Sequence, residues 1–406
     1  MHKGLAILLL AFAIPTGAQM IVAPTETASV RHALDSHQKK HSLDCFVEPW
    51  GPSLDFNFFY QTGYQLSIDM KQLTPGEAVD GYLRVTPQGG APVLLEQPIA
   101  IPAEPKDSLG TFQSLNRRRF QLTGLGRFSV GEGKYSVELL ALSAEGRSCY
   151  QQWKIQTKKY PDASVPPAMA PRSVAPMRPI DWDGKLDPNG VRLSVLLDAA
   201  PLNRFAARLH SSDRAFSLQA LRALLNDLPC QSVQVVAFNL DQQTSIFRQE
   251  QFDSSGFAKL TLALQGLQLS TVPIESLKRG TNMEYLRQLT REQVASGQFD
   301  AVVFLGPNLQ ATYDNPQMPP LEKTSTRIFY FEGYAPITAD PPPQIAARYL
   351  RVMQPENPFP DSIEYLTKQL HGSVFHITTA KDLAVAIPKM LAQLRPTLAN
   401  FDQPGH

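Results

Sequence analysis

A few residues carry groups able to do chemistry. Asp198 closes an apolar run from Val191 to Leu197, and His210 follows in the loop after it. An acid and an imidazole held together can activate water for hydrolysis, but no nucleophile can be assigned beside this pair. The chain holds no Gly-x-Ser-x-Gly elbow, no His-Glu-x-x-His and no glycine-rich phosphate loop. Asp181-Trp182-Asp183-Gly184, with Asp187 close behind, has the alternating carboxylates of a calcium loop. Lys185 stands where that loop needs an oxygen and no Glu closes its twelfth position, so a plain turn is expected. His32, His37 and His41 fit no metal-site spacing, and His371 and His376 flank a predicted strand without acid or thiol companions. Arg117-Arg118-Arg119 is a basic triplet in a predicted loop, expected to be solvated.

The elements that must position these residues change character along the chain. Residues 43–160 alternate with a period of two, as in Leu54–Tyr60, Tyr64–Met70, Val79–Thr86 and Gly133–Leu142, with turn residues between the runs. Short strands at regular spacing predict an antiparallel β-sandwich, immunoglobulin-like, although Trp153 lies beyond the second cysteine rather than between the two. Residues 161–180 hold six prolines, which favours extended backbone, so 161–190 reads as a linker. From Val191 onward continuous apolar runs (Val191–Leu197, Val233–Leu240, Phe299–Leu305, Arg327–Phe331) alternate with helical spacing, as in Phe216–Leu228 and Met283–Ala295. That pattern predicts an α/β doubly wound domain over 191–398 with a largely parallel sheet, followed by a short tail at 399–406. In such sheets ligands meet the carboxyl ends of the strands, which puts Asp198 and the loop around Gly306 on the expected rim.

Composition narrows the function. The 38 basic and 37 acidic residues nearly cancel, which argues against a nucleic acid or anionic membrane as partner. Lys3, the apolar stretch Leu5–Ile14, the break at Pro15 and Gly17, and the small residues Thr16-Gly17-Ala18 read as an export signal over 1–18. Residues 19–42 lack apolar periodicity and are expected to be a flexible segment. No later run is long enough to span a bilayer, so a secreted or periplasmic location without a transmembrane span is expected once the signal is removed. An oxidising compartment permits disulfides. Cys45 and Cys149 flank the predicted β domain and are expected to pair, while Cys230, between a helix and a buried strand, is expected to be an inert thiol.

The second half also resembles a family. A strand ending in Asp198, Gly280-Thr281-Asn282 opening a helix, and the buried run Phe299-Asp300-Ala301-Val302-Val303-Phe304-Leu305 are similar to a von Willebrand factor A domain. The whole exported chain resembles the "VWFA-related" proteins of acidobacterial type, with Phe128–Cys149 similar in the first domain. The resemblance implies a Mg²⁺ site built from an Asp-x-Ser-x-Ser loop, a threonine and a second aspartate. Here the first loop reads Asp198-Ala199-Ala200-Pro201-Leu202 and the third Leu305-Gly306-Pro307-Asn308, so only Asp198 and Thr281 remain of five ligands. Mg²⁺ needs a near-complete oxygen shell, so a vestigial site without bound metal is expected, and no cofactor. Asp198, Asn203, Arg204, Arg208, Thr281 and Asn308 then become rim candidates for a protein partner, with an arginine taking the place of the cation before a partner carboxylate. The expected function is an exported, non-catalytic binding or adhesion-type protein. The competing readings are an extracytoplasmic hydrolase using Asp198 and His210, and a structural envelope protein.

Overall fold

A computed structural model describes residues 19–37, 42–73, 78–100, 121–157, 169–177, 180–201, 206–269, 281–295, 297–308, 325–333 and 361–399. The chain divides into two compact units, one of Met1–Ser53, Phe59–Tyr160 and Pro167–Arg178, the other of Leu54–Phe58, Pro161–Pro166 and Pro179–His406.

In the first unit, alternation makes antiparallel strands. One sheet has the order β1 (Met20–Ile21), β5 (Val93–Ala100), β4 (Ala78–Pro87), β7 (Lys134–Ser143), β8 (Ser148–Gln156). The other runs β2 (Cys45–Leu54), β3 (Tyr60–Asp69), β6 (Gln121–Val130), β9 (Val174–Pro176). In β4 the residues Val79, Leu83 and Val85 are fully buried while Asp80, Tyr82, Arg84 and Thr86 are half-exposed, as one buried face requires. Ser143-Ala144-Glu145-Gly146 turns β7 into β8, with Gly146 at φ 78°, a conformation glycine adopts without penalty. Between the two sheets Tyr64 lies 6.0 Å from Trp153, ring to ring, and its hydroxyl donates to Gln97 Oε1 at 3.2 Å.

Part of the segment expected to be flexible is a helix, α1 (Thr27–His37). Val30 and Leu34 pack on Leu94, Leu140 and Tyr150. Arg84 joins the helix to the sheet by donating to Asp35 at 2.5 Å and, through two nitrogens, to Glu138 at 2.5 and 2.7 Å; Tyr150 donates to the same Glu138 at 2.5 Å. The burial of only two apolar helix residues explains why no periodicity was legible there. The Cys45–Cys149 disulfide is present, its Cα atoms 6.2 Å apart. Cys230 is a buried free thiol whose pKa burial pushes up to about 12.

The second unit is built on a six-stranded sheet ordered β12 (Thr244–Gln249), β11 (Cys230–Asn239), β10 (Val191–Asp198), β13 (Ala301–Pro307), β14 (Arg327–Gly333), β15 (Ser373–Ile377). The pairings from β11 to β15 are parallel, and β12 is antiparallel to β11. The helices are α2 (Ser211–Asp227), α3 (Ser254–Gly266), α4 (Thr281–Ala295), α5 (Ser362–Gln369) and α6 (Ala380–Ala399). Leu196, Val236, Phe238, Val302, Phe304 and Tyr330 pack with Met283 and Leu286 of α4 and Ile363 and Leu366 of α5. Residues of opposite parity, such as Val195, Leu197, Val303 and Phe329, are buried too, which is why these strands read as unbroken apolar runs.

The expected fold class is nevertheless corrected. Among the described residues, with 42% strand against 29% helix, three sheets and six helices, the fold is mostly β, and no clear doubly wound pattern of the von Willebrand factor A type emerges. Continuous apolar runs announce buried strands, but they do not fix how the helices wind about them. Asp181–Asp187 behaves as turns: Asp183 accepts from the Lys185 amide and Asp187 from the Asn189 amide, each at 3.0 Å, with Gly184 at φ 75°.

Candidate functional site

The ends of the parallel strands bring acids together. Asp198 is the last residue of β10 and fully buried, at 0% exposure, with both carboxyl oxygens lacking a hydrogen-bond partner. Gly306 allows this closeness: a Cβ there would stand 2.7 Å from Asp198 Cβ. Burial drives the Asp198 pKa well above the ordinary carboxylate range, the charges of Asp361 and Asp241 add to the rise, and the Leu240 amide opposes it weakly. Burial therefore favours its protonated form.

Asp361 stands immediately before α5 and is also buried. Burial raises its pKa to about 7; the Tyr330 hydroxyl pulls it down, Glu332 pushes it up, and the Ser362 and Ile363 amides pull it down. Tyr330 Oη lies 2.8 Å from Asp361 Oδ2 and 3.2 Å from the Pro307 carbonyl. A phenol has one proton to donate. Tyr330 donates to Asp361, and the Pro307 carbonyl lies within reach of the same hydroxyl. Beside them the fully buried Glu332 accepts from Asn308 Nδ2 and meets His376 Nδ1, both at 2.5 Å, the imidazole being 57% exposed.

Of the rim residues expected from sequence, Asp198 and Asn308 lie here. Arg208 is exposed and donates to Gln268 Oε1 at 3.0 Å. Thr281 is the first residue of α4, and its side chain lies outside the described residues, as do Asn203 and Arg204 altogether. His210 is exposed, and its backbone N–H donates to Asp213 at 2.7 Å to open α2. No hydrogen bond joins Asp198 to His210, the pair that hydrolysis would need. Sequence reasoning missed Tyr330, Glu332, Asp361 and the role of His376. One signal was available: Glu332 is a carboxylate near the end of the otherwise apolar strand Arg327-Ile328-Phe329-Tyr330-Phe331.

The donors do not suit the metal that the resemblance implies. Ala200 offers no side-chain oxygen, Asp198 is fully buried, and no group of three or more His, Cys, Asp or Glu among the described residues could hold a metal ion. What the cluster can do is hold protons and hydrogen bonds across the ends of β13 and β14 and the start of α5.

No family model and no curated protein matches the chain. Among solved structures it is similar to target SoR45 of the Northeast Structural Genomics Consortium, at 13% identity and TM-score 0.17, over 29% of this chain and 88% of that one. It is also similar to a glycosyl hydrolase family 2 member from Bacteroides cellulosilyticus, at 11% identity and TM-score 0.19, over 83% of this chain and 45% of that one. A second structure of a glycosyl hydrolase family 2 member from that organism gives TM-score 0.20 over 83% and 43%. The chain thus spans under half the length of those hydrolases, and scores this low assign neither fold nor activity.

Proposed function

We propose that this chain is an exported, non-catalytic binding protein whose second unit meets a protein partner with the rim at the carboxyl ends of its parallel strands. One observation carries the reading. Where a parallel sheet ordinarily presents its reacting group, this chain holds Asp198 fully sheltered from solvent, in surroundings that disfavour its charged form. Such a group neither touches a substrate nor takes a proton from one. The Cys45–Cys149 disulfide supports an oxidising compartment, and no described helix is long and apolar enough to cross a membrane. The rim meets its partner without divalent metal, through hydrogen-bonding and cationic groups such as Asn308 and Arg208.

Crosslinking in the native envelope, followed by identification of the joined peptides, tests this. The expected result is a partner peptide joined to the rim, with yield reduced by Arg208→Ala or Asn308→Ala and unchanged by Asp198→Asn. Crosslinks confined to other faces would refute the rim. Micromolar Mg²⁺ or Mn²⁺ binding in calorimetry that disappears in Asp198→Ala would refute the metal-free reading.

A further inference from the structure

We infer that Gln19 is a modification site, closing into pyroglutamate once the leader is removed. This rests on the export reading above, in which the small residues Thr16-Gly17-Ala18 end the leader and Gln19 becomes the first residue of the mature chain.

The structure makes Gln19 an unusual chain start. Its neighbours Met20 and Ile21 form the exposed edge strand β1, paired with Glu96 and Leu95 of β5, yet Gln19 itself is only 5% exposed. Its side-chain Nε2 and Oε1 are both buried without a full hydrogen bond. The polar group that its amide approaches is the Tyr64 hydroxyl, itself engaged with Gln97; neither is an acid. A mature chain beginning here carries an α-amine on a residue whose side chain is buried beside these uncharged groups, and a buried charge requires pairing.

Cyclisation removes that charge with atoms the residue already carries. The neutral α-amine attacks Cδ of its own side chain, the N–Cδ bond forms, the Cδ–Nε2 bond breaks, and ammonia leaves with the proton. No oxidant, reductant or further reactant is involved. Amine and amide belong to one residue, so the reaction is intramolecular and gains the corresponding effective concentration. The product is a neutral five-membered lactam that lacks one of the two unpaired polar atoms, and β1 begins directly after it.

The test is intact mass and N-terminal sequencing of the full chain exported behind its own leader. The expected mass lies about 17 Da, one ammonia, below that of a chain starting at a linear Gln19. Sequential degradation should be blocked until pyroglutamyl aminopeptidase acts on the denatured protein, after which Met20-Ile21-Val22 is read. Gln19→Ala should give a readable N-terminus and no mass deficit. A linear Gln19 with a free amine overturns the inference while leaving the leader reading intact. A chain that starts elsewhere, or retains the leader, overturns both.

Discussion

Asp198 shows how a residue can be found from sequence and still be misjudged. Its place at the end of an apolar strand was legible, because such strands aim their last residue at the rim. Its state was not, because the carboxylates that surround it come from distant parts of the chain: Asp241 follows β11, and Asp361 precedes α5. The structure makes a sharp prediction here. A carboxyl whose folded pKa is raised binds a proton more tightly folded than unfolded, so its contribution to stability is present below the unfolded pKa of 3.8 and is lost as pH rises. Asn has the same shape and no charge to suppress. Asp198→Asn should therefore gain stability relative to the parent as pH rises from 4 to 8. Denaturant melts at the two pH values measure this, and a variant that instead loses stability relative to the parent over that rise would mean that the folded protein holds Asp198 ionised and paired.

Two elements depend on similar arrangements of few atoms. The start of α5 is tied to β13 and β14 through Asp361, Tyr330 and the Pro307 carbonyl, and burial makes the charged form of Asp361 costly there. The Asp361 pKa of about 7 against 3.8 unfolded places the window: stability falls as pH rises from about 4 to about 7, with a slope reaching about 1.4 kcal/mol per pH unit. Asp361→Asn should flatten this dependence, read from thermal midpoints across pH 4–8; an unchanged slope would move its origin elsewhere. In the first unit, α1 and its sheet share Arg84. Removing Arg84 takes the ion pair from the buried Glu138, so Arg84→Met should cost about 3 kcal/mol. Adding Glu138→Leu should restore most of that loss, and equal stability of the single and double variants in urea would contradict the account. Strand positions were legible because burial on one or both faces writes a period into the chain. The helix α1 was not, since two apolar residues and one ion pair leave no periodic trace, and the winding of helices about the six-stranded sheet was misread for want of any such signal.

At the scale of the molecule, the bond between Cys45 and Cys149 closes a loop across 104 residues, for which chain entropy gives about 4–5 kcal/mol of stabilisation. Cys45→Ser with Cys149→Ser should lower the unfolding free energy of the first unit by that order, whereas Cys230→Ala, at a buried uncharged position, should lower it in the second unit by no more than about 2 kcal/mol. Chemical denaturation with and without reductant separates the two, and insensitivity of the parent to reductant would sink the first claim. The pairing was legible because both cysteines bracket one run of alternating strands. The linear order of the three cysteines has a consequence for biogenesis. A chain threaded amino end first into an oxidising space presents Cys45, then Cys149, and only afterwards Cys230. The correct partners are consecutive arrivals, so a simple oxidant acting on thiols as they emerge joins them without an isomerase to sort them, and the latecomer finds no free thiol left to capture.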